Sequence, residues 1–199
     1  LHAHRDPWGE PMTADRVLYS TFRPVYPSPT GLITSVDAAG KPNIITLGEV
    51  FNLSIRNPVI VGIAIAPARY SHQLISQQRE FVVNLPPAEL MPTVWACGQC
   101  SGRNTDKFER FGLTPIPATH VKPPLIAQCP CNIECRVLSV QTIGDHDLFQ
   151  GEVLAVHVSP EILDESGRMD PSRLSSTVMT GCGFFALGDP ITHHRIGPK

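Results

Sequence analysis

The residues that could do chemistry fall into four groups, and the first is thiol. Cys97-Gly-Gln-Cys100 is a CxxC, and Cys129-Pro-Cys131 with Cys135 adds three more cysteines. Such spacings can frame zinc or an iron–sulfur centre, so a metal-binding module built on Cys97, Cys100, Cys129 and Cys131 is one expectation. Against it, the CxC spacing is poor for a zinc ribbon. Cys131 and Cys135 also fall in phase with an alternating apolar run, where a free cysteine behaves as a small buried hydrophobe. A redox role for the CxxC is disfavoured because no thioredoxin-like βαβ pattern surrounds it.

Histidine is the second group. There is no HExxH, and only His146, between Asp145 and Asp147, has carboxylates as sequence neighbours. Its place beside Gly144-Asp145 predicts a hairpin tip, where a solvated turn histidine accounts for it equally well. His193-His194 reads as a solvated tail. Nucleophiles, the third group, have little support: no GxSxG is present, and Asp145/Asp147 at a turn suits solvation better than acid–base work. The fourth group is cationic. Arg69-Tyr-Ser-His72 places a guanidinium and a hydroxyl at a predicted helix start, with Ser71 as the expected N-cap. Free amides and the helix dipole favour an anion there. Ser101-Gly-Arg103 lies in a polar loop, and Lys107 opens the next predicted helix. Each alone is an ordinary cap or surface cation; together they point to a phosphorylated ligand.

The elements that must position these groups read mostly as strands. Gly31–Val36, Asn43–Phe51 and Val59–Ile65 are Ile- and Val-rich runs bounded by Gly, Pro, Asn and Asp. Ser71–Gln78 has helical spacing, Glu80–Leu85 returns to strand, and Ala88–Cys97 and Thr105–Phe111 predict short helices, the last ended by Gly112. Pro92 fits only in a first helical turn. Four prolines make 114–124 an extended loop. Alternation through Cys131, Ile133, Cys135 and Val137, then more weakly over Phe149–His157, predicts a hairpin turning at Gly144-Asp145. After a loop over Pro160–Pro171, Ser175–Thr180 is a last strand. Six or seven closely spaced strands suggest a closed or nearly closed barrel. No βαβ alternation and no GxGxxG after a strand are present, which disfavours a dinucleotide fold.

Composition agrees with one domain. The 199 residues are 42% apolar and 17% charged, enough for a core and too little charge for a disordered chain. A net charge of −2 gives no pull toward nucleic acid or an acidic membrane. The longest apolar run, Val59–Ala66, is far short of a bilayer span. The first fifteen residues are polar and lack the apolar stretch of a secretory leader, so a reducing cytoplasm with free thiols is expected. The expected organisation is a single domain over 1–199, with 1–28 as an N-terminal extension and 189–199 as a tail.

Longer motifs carry a family resemblance. Lys41-Pro-Asn-Ile-Ile-Thr46 follows TSVDAAG, and Glu80-Phe-Val-Val-Asn-Leu-Pro86 comes next. Cys97-Gly98 then precedes SGRNTDKF (Ser101–Phe108) and GLTPIPA (Gly112–Ala118). PPLIAQCPCNIECRV (Pro123–Val137) and GDHDLFQGEVLAVH (Gly144–His157) complete the order. From about Gly31 to Gly188 the chain resembles the flavin reductase-like, FMN-binding split-barrel proteins, the group that includes flavoredoxin.

The resemblance implies an all-β fold with short helices, a Greek-key split β-barrel, and a homodimer holding FMN non-covalently near its interface; FAD fits it less well. It places 43–52 beside the isoalloxazine ring, starting at Asn43, with Thr46, Leu47, Gly48, Glu49 and Val50 meeting the ring's polar edge. Arg69, Tyr70, Ser71, His72 and Ser101 would lie near the ribityl phosphate. Lys107 matches the lysine of SGRxxDKF, His146 the histidine of the GDH turn, and Phe185 an aromatic packed on the ring, with Phe184 as substitute. Glu49 stands where many relatives carry an aromatic, and a carboxylate there would disfavour an anionic reduced flavin. The implied activity is hydride transfer from NADH or NADPH to the flavin, feeding a partner such as a monooxygenase. The alternative is a flavoredoxin-type electron carrier without its own nicotinamide site. Because the cofactor carries the chemistry, the lack of a catalytic triad is expected.

Overall fold

The computed structural model describes residues 22–181 and 183–188. Most of the expected N-terminal extension, Cys182, the 189–199 tail and His193-His194 lie outside the described residues. In chain order the strands are β1 (Ser28–Pro29), β2 (Gly31–Val36), β3 (Pro42–Leu47), β4 (Val50–Ser54), β5 (Ile60–Ile65), β6 (Glu80–Leu85), β7 (Pro115–Ile116), β8 (Leu125–Ile126), β9 (Cys131–Ile143), β10 (His146–Val158), β11 (Thr177–Thr180) and β12 (Gly183–Ala186). The helices are α1 (Tyr70–Gln78), α2 (Met91–Gly98) and α3 (Lys107–Phe111). No helix among the described residues is long and apolar enough to cross a membrane.

Seven strands form one antiparallel sheet in the order β3-β2-β6-β9-β10-β5-β4. Its two edges, β3 and β4, are consecutive in the chain and joined only by Gly48-Glu49. Two residues span only about 7 Å, so the sheet must curl until its edges meet at one corner. The result is a split barrel, in which one long curled sheet replaces the exposed edges of a flat one. The single expected strand over Asn43–Phe51 is thus two strands on opposite edges, and the break falls at Gly48.

The barrel interior is filled by alternating side chains, among them Ile33, Ile63, Phe81, Val83, Cys135 and Phe149, each buried. A second cluster (Leu32, Ile44, Val94, Cys97, Phe108, Ile126) packs α2 and α3 against the outer face of β2 and β3. Leu32 and Ile33 point to opposite clusters, as successive strand residues must, which is why β2 is buried along its whole length. Each fully buried Phe or Ile contributes about 1.5–3 kcal/mol over leaving it exposed.

The hairpin forms as the alternation predicts but is longer, thirteen residues in each of β9 and β10. Ile143 pairs with His146 across Gly144-Asp145, and Gly144 takes φ 61°, a left-handed angle that glycine adopts without strain. Other boundaries shift for local reasons. Helix α1 begins at Tyr70 with Arg69 as N-cap, so Ser71 lies inside the helix and not at its cap. Asp106 accepts from the Glu109 amide at 3.1 Å and starts α3 two residues later than expected. Pro92 sits in the first turn of α2. The proline loop contains a two-residue strand, β7, paired with β8.

Candidate functional site

A cavity of about 460 Å³ opens where the barrel's split edge meets the starts and ends of the helices. That lies within the usual range of small-ligand sites, about 300–1,000 Å³. Three walls can be built up from the residues.

The first wall is β3 with its link to β4. Asn43, Thr46, Leu47 and Glu49 line the cavity. The Thr46 hydroxyl donates to the Val94 carbonyl at 2.7 Å, which fixes the strand to α2. Glu49 forms an ion pair with Arg23. Asn43 is 4% exposed; its Nδ2 donates to Ser71 Oγ at 2.7 Å, while its Oδ1 has no hydrogen-bond partner among the described residues.

The second wall is the start of α1, where Arg69, Tyr70 and Ser71 line the cavity. No side chain caps this helix. The His72 amide bonds back to the Arg69 carbonyl at 3.1 Å, and the Tyr70 and Ser71 amides keep their donor capacity at the positive end of the dipole, on the cavity side. Arg103, also lining, lies over the Tyr70 ring at 5.0 Å and donates to Gln73 at 3.1 Å.

The third wall runs from the C-terminus of α2 through the following loop: Cys97, Gly98, Gln99, Cys100, Ser101 and Gly102. A Cβ at Gly102 would stand 1.8 Å from Asn43 Oδ1, so any larger residue there has to displace the asparagine side chain. Lys107 lies behind this wall, 4% exposed, and donates to the carbonyls of Ile44 (2.8 Å) and Cys97 (2.6 Å). Burial pulls its ammonium below the usual lysine range, against the opposing pull of the Cys100 and Cys97 thiols. His146 reaches the cavity from the hairpin tip, with its Nδ1 2.8 Å from Asp145 Oδ1.

Four residues singled out in the sequence stand apart. Gly48 faces Met179, whose Cε would be 2.3 Å from a Cβ there. Val50 turns inward to the barrel core. His72 does not line the cavity: its Nε2 lies 2.7 Å from Asp147 Oδ2, and its ring packs edge-on to Phe149. This pair ties the hairpin tip to α1 across 75 residues. Phe185 is half exposed on β12, while Phe184 packs against Trp95 at 6.2 Å. Gly102 and Arg103, from the Ser101–Arg103 loop marked for a phosphorylated ligand, do line the cavity, whereas Arg23, Cys97 and Cys100 line it without having been singled out as flavin contacts. Cys97 and Cys100 were marked only by their CxxC spacing, which does not indicate a cavity wall.

The donor set fits a ligand with an anionic end. Four cations, Arg23, Arg69, Arg103 and Lys107, line the cavity against one lining carboxylate, Glu49; Arg23 pairs with that carboxylate and Lys107 with two carbonyls, so Arg69 and Arg103 are the cations turned to a ligand. The uncapped helix start supplies amides, and the orphaned Asn43 Oδ1 needs a donor, such as a ligand hydroxyl. The four-cysteine metal reading has no such geometry. Among the described residues no three His, Cys, Asp or Glu side chains converge where an ion could sit. Burial pushes the thiols of Cys97, Cys129 and Cys131 up to about 11, 12 and 11, so the thiolate that a metal needs is disfavoured.

Comparison with known proteins gives the same class. An uncharacterized protein of Archaeoglobus fulgidus is 43% identical over 132 residues, covering 66% of this chain and 73% of its own. An NADH:riboflavin 5'-phosphate oxidoreductase of Streptomyces pristinaespiralis is 29% identical over 125 residues, covering 62% and 67%. The crystal structure of flavoredoxin from Methanosarcina acetivorans superposes with a TM-score of 0.81 at 25% identity, covering 90% of this chain and 95% of that one. The model of the flavin reductase like domain matches residues 22–174, and with that match the chain belongs to the flavin reductase-like family.

Proposed function

We propose that the chain binds FMN in this cavity and acts as a flavin reductase, taking reducing equivalents from NADH or NADPH. It hands them, as electrons or as reduced flavin, to a partner such as a monooxygenase. The observation that carries the reading is the uncapped, cationic start of α1 inside a cavity of cofactor size. A monoester phosphate is dianionic near neutral pH, and Arg69 with the Tyr70 and Ser71 amides would hold it. Ser101 would add a hydroxyl donor, and Asn43 Oδ1 would accept from the ribityl chain. The backbone of Thr46–Glu49 would meet the ring, with His146 on the opposite wall. When bound, the flavin supplies the redox chemistry, accepting hydride at N5 from nicotinamide C4. The chain's own part is to hold, orient and electrically bias the ring, with Lys107 bracing β3 against α2 behind it.

One relative supports FMN as the flavin and NADH as the donor: the Streptomyces pristinaespiralis protein is an NADH:riboflavin 5'-phosphate oxidoreductase. We also propose a homodimer working in the reducing cytoplasm. A second reading, an FMN electron carrier without its own nicotinamide site, is favoured by the likeness to flavoredoxin.

Stopped-flow absorbance on FMN-loaded protein separates the readings. Bleaching of the visible flavin band by NADH or NADPH in seconds or less supports the reductase. Bleaching by dithionite but only over many minutes with either nicotinamide supports the carrier. Protein that binds no FMN overturns both.

A further inference from the structure

We propose that Cys97 and Cys100 are a dithiol–disulfide pair that exchanges two electrons with the flavin held in the cavity. The inference rests on the flavin reading above. The sequence offered this CxxC no thioredoxin-like surroundings, but the fold places both residues on the cavity wall. They occupy one helical turn: Cys97 is in α2, and Gln99 at its C-cap keeps helical angles (φ −86°, ψ −9°). Helix geometry sets Cα atoms three residues apart at about 5 Å, inside the span of about 4.4–6.8 Å that a disulfide bridges.

The two thiols are unequal in the way an exchange pair requires. Cys100 is only partly buried and stands at the cavity. Cys97 is fully buried, and burial pushes its thiol up to about 11, with the Lys107 ammonium pulling the other way. Cys100 is therefore the sulfur that can be reached and can attack, and Cys97 the sulfur that closes the S–S bond. Lys107 acts on both: its ammonium is bonded to the Cys97 carbonyl and electrostatically coupled to the two sulfurs. It is a buried cation with no carboxylate bonded to it among the described residues, so it can offset negative charge as a thiolate forms. In the oxidising direction two S–H bonds break and one S–S bond forms. Two electrons and two protons pass to the oxidised flavin, which becomes fully reduced. The reverse step reopens the disulfide at the expense of reduced flavin. The remaining cysteines of this region do not share the arrangement, because Cys129, Cys131 and Cys135 are buried away from the cavity lining.

The test is an anaerobic reductive titration of FMN-loaded protein that has first been oxidised with glutathione disulfide, with electrons counted per bound flavin from its own absorbance. The wild type is expected to take up about four electron equivalents per flavin and Cys100→Ser about two, since a disulfide and a flavin are each two-electron couples. Peptide mapping of the oxidised protein, with and without FMN, is expected to show a Cys97–Cys100 crosslink that reduced FMN removes. Equal uptake of two electrons by both proteins overturns the proposal, as does a crosslink to Cys129 in place of Cys100. Protein that binds no FMN sinks the flavin reading instead, and with it the exchange, whether or not the crosslink forms.

Discussion

Asn43 and Ser71 are joined by a 2.7 Å hydrogen bond from Nδ2 to Oγ, which pins strand β3 to the first turn of α1. Both side chains are buried, and the bond sets the distance between the two walls that carry the candidate phosphate site. Gly102 presses against the same asparagine, leaving no room for a Cβ. Gly102→Ala should therefore push Asn43 off Ser71. The expected cost is that of one buried hydrogen bond plus an orphaned donor, about 1–3 kcal/mol. FMN affinity should fall with it. Urea unfolding and a fluorescence titration with FMN read the two effects, and a variant matching the wild type in both would show that Asn43 relaxes freely.

Arg69 stands at the N-cap of α1, on the cavity, with an exposed side chain. If it holds a phosphate, its loss should matter for FMN and not for riboflavin, which lacks that group. Arg69→Ala should weaken FMN by about 1.5–3 kcal/mol, roughly ten- to hundredfold in Kd, and leave riboflavin affinity within about twofold. Parallel titrations with the two flavins check this. Equal losses for both would move Arg69 away from the phosphate, and raised salt should shrink the FMN effect because the guanidinium is exposed.

Which parts of this architecture were legible depends on how local their cause is. The β9–β10 hairpin was readable because its alternation has period two and its turn residues allow a left-handed angle. The start of α3 was nearly so, since Asp106 is an ordinary cap. The break at Gly48 was not. Nothing in Thr-Leu-Gly-Glu-Val distinguishes a continuous strand from a corner; the corner exists because the sheet curls and its edges must meet. Likewise Glu134 falls on a polar beat of the hairpin and reads as solvent-facing, yet it is fully buried under the proline loop. The cationic cluster was legible as types, Arg69, Ser71 and Lys107, but not as geometry. Only the fold reveals that Lys107 is spent on two carbonyls, and that His72 pairs with Asp147.

Lys107 gives a prediction that differs from that of a simple phosphate ligand. Its ammonium bridges the Ile44 and Cys97 carbonyls, which otherwise lie buried. Lys107→Met keeps the stem and removes the buried charge, a gain, but leaves two acceptors unpaired at about 1–3 kcal/mol each. The second effect should win, because ordinary burial has already been met by two good bonds. A net loss of about 1–3 kcal/mol in urea unfolding of the flavin-free protein is expected. Unchanged stability with weakened FMN binding would instead make Lys107 a direct phosphate contact.

Glu134 links pH to the far side of the barrel. Its carboxylate accepts from the amides of Thr119 (2.8 Å) and His120 (2.6 Å) and lies 2.6 Å from His157 Nε2, so one buried group staples the proline loop to β9 and β10. Burial alone would raise its pKa, but the two amide bonds and His157 outweigh burial and hold it below the ordinary carboxylate value. A carboxyl whose folded pKa is depressed adds stability that is complete above its unfolded value, about 4.3, and is lost as pH falls through the folded one. Glu134→Gln should thus destabilise the protein at pH 7, and the gap should narrow as pH falls below about 4.3 and close once pH passes below the depressed folded value. A glutamine offers one acceptor oxygen where the carboxylate offers two, so at least one of the Thr119 and His120 amides should lose its protection in hydrogen exchange at neutral pH. If the gap between the two unfolding curves stayed constant from pH 7 to pH 3, the staple would be steric and not ionic.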